Sequence, residues 1–357
     1  METGATALID SEEELARLMD RLKPGAVGAI DTEADSLHRY RESLCLIQFA
    51  VGEESVLIDP LALDKMAPLA EFLRTSTIWM HGADYDMTML RREFNEIPPV
   101  VYDTQIGARL LGLRKFGLAN LVEHYFGVVL SKTSQKADWG KRPLSPKMTE
   151  YALNDVRYLL PMGEKIVAEL KEKDRYDWFV ESCDAARQKV LERDESREEP
   201  WRIQGAGRLD RKGLNLLRAL WYWRDAEAES WDRPSFMVAT NKQLIEWSGL
   251  LNSGKKIKIP DHFRSDRRRR LETTISKAGK AEPGSYPVKL KGMRRRRDSE
   301  FESRVNGMIA VRDRKAKSLD IESSLIASRA VIETLASGEE EVSDLLLSWQ
   351  RECLELD

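Results

Sequence analysis

An α/β domain with a mixed sheet, followed by two small all-α modules, is the fold class the sequence predicts. Three observations predict it. Over the first 165 residues, short β-branched or apolar runs alternate with helical patterns. After about Ala168 the strand signals stop, and charged helix broken by polar or Gly/Pro stretches takes over. The helical part also repeats itself at an offset of 88 residues: Arg224, Asp225, Ala228, Ser230, Asp232, Ser235 and Ala239 recur without a gap as Arg312, Asp313, Ala316, Ser318, Asp320, Ser323 and Ala327. Seven identities in sixteen positions are more than two unrelated charged helices would share.

In chain order, Val27 to Thr32, Leu44 to Val51, Ser55 to Ile58 and Thr77 to His81 have the length and composition of strands, the first two joined by a turn near Arg39 to Glu42. Asp64 to Arg74, Asp84 to Phe94, Thr104 to Leu113 and Leu118 to Phe126 have helical spacing. A longer helix starts at Ser145, an N-cap followed by Pro146 at the first helical position, and runs past Leu160. Glu192 to Gly207 and Lys277 to Gly292 read as linkers. The expected domains are 1–195, 208–280 and 293–357, and 357 residues suffice for each to bury a core.

The net charge of −3 hides an asymmetry. Residues 1–200 carry 26 Lys and Arg against 36 Asp and Glu, whereas residues 201–357 carry 31 against 24. Between Leu251 and Arg297 stand 16 basic and 4 acidic residues, including the runs Arg267 to Arg270 and Arg294 to Arg297. Such blocks attract polyanions by counterion release, although a charge run alone is more often a solvated face. The acidic start, Met1 to Glu14, does not resemble a secretory leader, so a soluble, cytoplasmic protein without a membrane partner is expected, with a monomer as the default. Cys45, Cys183 and Cys353 are too dispersed for a disulfide framework or a zinc site and are expected to be reduced thiols.

The chemistry is carried by acidic residues. Asp31 and Glu33 stand at i and i+2 at a strand end, which points both carboxylates to one face. Asp86 opens the helix after the strand ending at His81, and Tyr151 and Asp155 share a face of the capped helix at i and i+4. Singly, each has a duller account: Asp86 as a cap, Asp155 on a wet face, Tyr151 as a core aromatic. Jointly they are four carboxylates without a basic partner, an arrangement that calls for cations, and Mg2+ or Mn2+ suits such hard oxygen donors. Two ions about 4 Å apart would serve an in-line displacement at phosphorus. Tyr151 is expected to hold the attacking water and to help deprotonate it.

These residues carry a resemblance. Asp31-Thr32-Glu33, His81-Gly82-Ala83-Asp84-Tyr85-Asp86 and Tyr151-Ala152-Leu153-Asn154-Asp155 resemble the three motifs of the DEDD exonuclease superfamily in its tyrosine-bearing branch. Asp103-Thr104-Gln105, and Asp138-Trp139 followed by Arg142-Pro143-Leu144, resemble bacterial ribonuclease D. The repeated modules after Arg208 resemble the HRDC domains of ribonuclease D and RecQ-type helicases, the first copy more closely. The resemblance implies a ribonuclease H-like catalytic domain, with Asp31, Glu33, Asp86 and Asp155 as ligands of two divalent cations and Tyr151 beside the nucleophilic water. The implied activity is 3′-5′ exoribonuclease action on structured RNA such as tRNA precursors, releasing nucleoside 5′-monophosphates. His81, Lys136 and Trp139 are the candidate substrate contacts. Many relatives have arginine at the place of Lys136, and lysine keeps the charge but loses bidentate phosphate recognition.

Other signals weigh less. His38, His81, His124 and His262 are scattered, and only His81 lies near a motif. Gly205-Ala206-Gly207 is followed by no P-loop lysine, which argues against a helicase. Asp103 reads as a helix cap, Asp35 and Asp84 as bystanders, and the tryptophans of Trp221 to Trp231 as module core. Two alternatives compete with the RNA reading. A DNA repair exonuclease would use the same motifs, and an inactive RNA-binding adaptor would have lost a motif carboxylate, yet all are present.

Overall fold

The computed structural model describes residues 8–23, 25–131, 133–194, 198–290 and 298–356. The basic run Arg294 to Arg297 therefore lies outside the described residues, as do Lys291 and Gly292 of the second expected linker. The described chain divides into two compact units, one of residues 1–34, 44–193 and 295–357, the other of 35–43 and 194–294.

The first unit is built on six strands: β1 (Leu8–Ile9), β2 (Val27–Ala34), β3 (Leu44–Val51), β4 (Glu54–Ile58), β5 (Thr77–Met80) and β6 (Val100–Asp103). Their order is β1-β4-β3-β2-β5-β6. The β2–β3 and β3–β4 pairs are antiparallel and the other three pairs parallel, so the sheet is mixed. Its helices are α1 (Glu12–Asp20), α2 (Ala67–Leu73), α3 (Asp84–Phe94), α4 (Thr104–Leu110), α5 (Leu118–Phe126), α6 (Pro146–Arg157), α7 (Leu159–Glu172) and α8 (Tyr176–Glu192). Helices on the sheet explain why β3 reads LCLIQFAV without alternation: seven of its eight residues are buried, as in a strand covered on both faces.

The expected N-cap of α6 is in place, with Ser145 accepting from the Met148 N–H and Pro146 at the first helical position. The single long helix expected from Ser145 is two, because Tyr158 closes α6 and opens α7. Strands β1 and β6 were not expected: one has two residues, and the other four directly after Pro98-Pro99, too few for a period to register.

The second unit packs four helices, α9 (Arg211–Trp231), α10 (Ser235–Val238), α11 (Asn241–Asn252) and α12 (Ser265–Gly279). Helix α12 thus occupies the start of the second expected linker. Helices α13 (Ser299–Leu319), α14 (Ser323–Ile326) and α15 (Arg329–Ser337) repeat α9 to α11 and belong to the first unit, with α16 (Val342–Leu345) and α17 (Ser348–Leu354) after them. Every start of α13, α14 and α15 stands 88 residues after its counterpart. The shared identities hold the corner between the first two helices of each copy. Asp232 and Asp320 take left-handed backbone at φ 47° and 51°. Arg224 donates to the Ala239 carbonyl at 3.2 Å, and Arg312 to that of Ala327 at 3.1 Å.

All three cysteines are buried and free. Among the described residues no helix is long and apolar enough to cross a membrane.

Candidate active site

Strand β2 ends in Asp31-Thr32-Glu33-Ala34, and its register against β3 shifts between Glu33 and Ala34. The two-residue period sends Asp31 and Glu33 to one face while Thr32 points to the other. At this strand end the Thr32 N–H and Oγ1 both donate to Asp86 Oδ1, at 2.9 and 2.6 Å. These bonds fasten the first turn of α3 to β2. Helix α6 supplies Tyr151 and Asp155, one turn apart and hydrogen-bonded to each other. Ligand atoms of Asp31, Glu33 and Asp155 lie within 4.8 Å of one another. Asp86 and Tyr151 line the same cavity of about 410 Å³.

The turn between β5 and α3 depends on Asp103. One of its oxygens accepts from the Gly82 and Gln105 N–H groups at 2.9 and 2.7 Å, and the other from Ala83 at 2.9 Å. Asp103 therefore caps α4, as expected, and also holds the turn that presents Asp86. Gly82 turns at φ 70°, a left-handed conformation that side chains with a Cβ resist.

Electrostatically the site is strained. Burial and then the neighbouring Asp86, Asp155 and Glu33 hold Asp31 well above the carboxylate range. Burial, Asp155 and Asp86 push Glu33 up to about 9. Asp86 and Asp155 rise to about 7, chiefly through burial, against the lowering effect of the hydrogen bonds from Thr32 and Tyr151 respectively. No lysine or arginine lines the cavity among the described residues. An all-oxygen donor set that repels itself and lacks a basic counterweight fits a divalent cation.

The same field acts on Tyr151. Burial and the carboxylates of Asp155, Glu33 and Asp31 raise its phenol far above the ordinary value. Its single proton is donated to Asp155, and the phenol oxygen keeps lone pairs with which to accept.

The three candidate substrate contacts separate. His81 lines the cavity. Lys136 is exposed and does not, whereas its neighbour Gln135 does. Trp139 is 1% exposed and packs behind Tyr151, ring centroids 6.1 Å apart, where it braces that side chain and cannot touch a substrate. The position of Trp139 is fixed by Arg142, which donates to the Trp139 carbonyl at 2.7 Å and pairs with Asp59. Thr32, Tyr85, Leu118 and Gln135 also contribute to the cavity and were not singled out from sequence. Thr32 and Tyr85 had a signal there, one between two motif carboxylates and the other directly before Asp86. A larger cleft of about 910 Å³, along Ala50, Trp79, Arg157 and Glu164, contains none of the converging carboxylates. Chemistry, not size, picks out the site.

A mixed sheet whose strand ends gather hard acidic oxygens is the frame of a carboxylate-dependent nuclease, and residues 6–171 match the family described as 3′-5′ exonuclease. Over 237 residues the chain is 33% identical to ribonuclease D of Xanthomonas oryzae, covering 66% of this chain and 65% of that one. It is 34% identical over 247 residues to ribonuclease D of Escherichia coli, covering 68% and 64%. These alignments thus span just under two thirds of the relatives' length. A longer alignment, 29% identical over 364 residues, covers 96% of this chain and 90% of ribonuclease D of Zymomonas mobilis. The solved structure of Escherichia coli RNase D, described as an exoribonuclease involved in structured RNA processing, superposes with a TM-score of 0.75 at 26% identity over 98% of this chain and 96% of that one. The chain thus carries a 3′-5′ exonuclease domain similar to that of ribonuclease D, and its ribonuclease H-like domain followed by a helical region is the expected fold.

Proposed function

We propose that the chain is a 3′-5′ exoribonuclease that shortens structured RNA, tRNA precursors among its substrates, and releases nucleoside 5′-monophosphates. What supports this most directly is the convergence of Asp31, Glu33 and Asp155 to within 4.8 Å beside Asp86 and Tyr151. In this reading Asp31, Glu33, Asp86 and Asp155 hold two divalent cations, Mg2+ or Mn2+. Bound there, such ions supply an activated water and charge stabilisation at the leaving oxygen. The chain's own contribution is placement. Thr32 locks Asp86 to β2, Asp155 anchors the Tyr151 phenol by accepting its proton, and the phenol oxygen orients the attacking water by accepting from it.

The domains of this reading are the exonuclease domain 1–195 and two HRDC-like modules, 208–280 and 293–357, which grip the RNA body by backbone and shape. The second unit refines which charges are free to do so. Arg267 and Arg270 both pair with the buried Glu227, and Arg268 binds the carbonyls of Phe263 and Pro260. Lys255, Lys256, Lys258 and Arg269 remain exposed for phosphates.

The test compares matched 3′-extended RNA and DNA with Mg2+ or Mn2+, with and without chelator, for wild type, Asp155→Ala and Tyr151→Phe. Cation-dependent loss of 3′ nucleotides from RNA, abolished in Asp155→Ala and slowed in Tyr151→Phe, is the expected result. Full activity in both variants would overturn the site, and preference for DNA would overturn the substrate.

A further inference from the structure

The tautomer of one cavity-lining histidine is fixed by its neighbours. His81 Nδ1 lies 2.9 Å from Thr104 Oγ1, and Thr104 Oγ1 lies 3.1 Å from the Met80 carbonyl oxygen. A carbonyl oxygen can only accept, and a hydroxyl has a single proton, so the Thr104 proton is committed to Met80. Thr104 must therefore accept from His81, which places the ring proton on Nδ1 and leaves a lone pair on Nε2. Burial lowers the imidazole's pKa and so favours this neutral ring. His81 lines the carboxylate cavity, and with Nδ1 committed, Nε2 is the nitrogen it can offer there.

What that acceptor meets follows from the sheet. Parallel pairing sets Val27 beside Thr77 and Ala29 beside Trp79. Two residues beyond that pairing on each chain segment, His81 and Asp31 line the same cavity. A group reaching both a phosphate at the carboxylates and His81 lies within one sugar of the scissile bond. The hydrogen-bond donors at that distance are sugar hydroxyls, since base N–H groups lie farther out. Of these, only the 2′-hydroxyl separates RNA from DNA.

Resting on the exoribonuclease reading above, we infer that His81 is a specificity residue whose Nε2 accepts a hydrogen bond from the 2′-hydroxyl of the terminal ribose. The experiment is a cycle between protein and substrate atoms. Wild type and His81→Phe, with the divalent cation present, are given RNA oligonucleotides ending in a ribose, a 2′-deoxy or a 2′-fluoro nucleotide, and kcat/KM is compared. The wild type should prefer the 2′-hydroxyl end by about tenfold over either analogue, the loss typical of one unmade hydrogen bond. In His81→Phe that ratio should fall to about one. The same ratio in both proteins would overturn the inference while the exoribonuclease reading stands. A wild type that removes no 3′ nucleotide from any of the three would sink that reading and the inference with it.

A second measurement does not depend on the variant folding. The chain has four histidines, so ring-15N-labelled wild type gives few signals, and His81 should show the Nδ1-protonated pattern. An Nε2-protonated ring would overturn the inference.

Discussion

Removing one negative charge from the site should stabilise the cation-free protein, and the size and pH dependence of the gain follow from the geometry. In Asp155→Asn the amide keeps the shape and can still accept from Tyr151, but it no longer adds to the repulsion around Asp31 and Glu33. Asp155 ordinarily titrates near 3.8, and burial first, then Asp86, lifts it to about 7 in the folded chain. Roughly three pH units at about 1.4 kcal/mol each give on the order of 4 kcal/mol as a ceiling. A buried amide also loses hydration, so a gain of about 1–3 kcal/mol is expected. Because the folded pKa is raised, the folded state holds a proton the unfolded state lacks between those values. This group's favourable contribution is whole below about pH 4 and is lost as the pH climbs through about 7.

The variant should therefore be more stable than wild type at pH 8 in chelator, by about 2–4 °C in Tm for each kcal/mol, with much of that difference gone at pH 5. Adding Mn2+ at pH 8 should reverse the ranking, since a ligand at a hundred times its Kd adds about 2.7 kcal/mol to the chain that binds it. Thermal unfolding at the two pH values, with chelator and with Mn2+, reads all of this. A variant less stable than wild type in chelator at pH 8, or a gain unchanged at pH 5, would refute the electrostatic account.

Four further outcomes follow from individual side chains. Asp103→Ala strands the N–H groups of Gly82, Ala83 and Gln105; it should lose about 2–4 kcal/mol in denaturant unfolding and lower kcat by displacing Asp86. Asp59→Ala leaves the guanidinium of Arg142 without a carboxylate that it meets at 2.5 and 2.6 Å; breaking such a pair costs about 3–5 kcal/mol when it is buried, and the loosened Trp139 should show as altered tryptophan fluorescence. Glu227→Gln should destabilise the second unit by about 2–4 kcal/mol, because Arg267 and Arg270 both depend on that buried carboxylate. Arg269→Ala should stay within about 0.5 kcal/mol of wild type while weakening RNA retention on a filter at low salt.

The site was legible in the sequence where chemistry coincides with a local period. Asp31 and Glu33 needed only a strand's two-residue repeat, and Tyr151 and Asp155 only a capped helix, whose Ser145-Pro146 start the structure reproduces. What escaped depends on contacts between distant segments. Asp103 looked like a cap and is one, but its hold on Gly82 and Ala83 is invisible until β5 and β6 pair. Trp139 stood in a family-like motif, and no local pattern distinguishes an aromatic that stacks on substrate from one buried behind Tyr151. Which arginines of the run are paired escaped for the same reason. Charge per residue is a sequence property, but whether a guanidinium is free depends on Glu227, some forty residues away and itself 5% exposed.

The repeat shows how far shared residues can be pressed toward shared function. Those that recur hold a corner: an aspartate in left-handed backbone, and an arginine reaching back to an alanine carbonyl. Both aspartates then accept from an arginine on another segment of their own unit, Asp232 from Arg39 and Asp320 from Arg114, each at 2.9 Å. The recurring arginine, aspartate and alanine are thus accounted for by folding and docking of the module. The aromatic side chains do not recur, because Trp221, Trp223 and Trp231 stand where the second copy has Ile309, Val311 and Leu319. Trp223 is buried against Trp247 and Phe263, as expected of module core. Trp231 is not core: it is 47% exposed, with the Arg267 guanidinium 4.9 Å from its ring. A flat exposed ring beside a fixed cation is a surface on which a base can stack, and an aliphatic side chain at the same corner is not. If the two copies differ in how they bind RNA, Trp231→Leu should weaken binding without destabilising its module, because it installs the residue with which the second copy already folds.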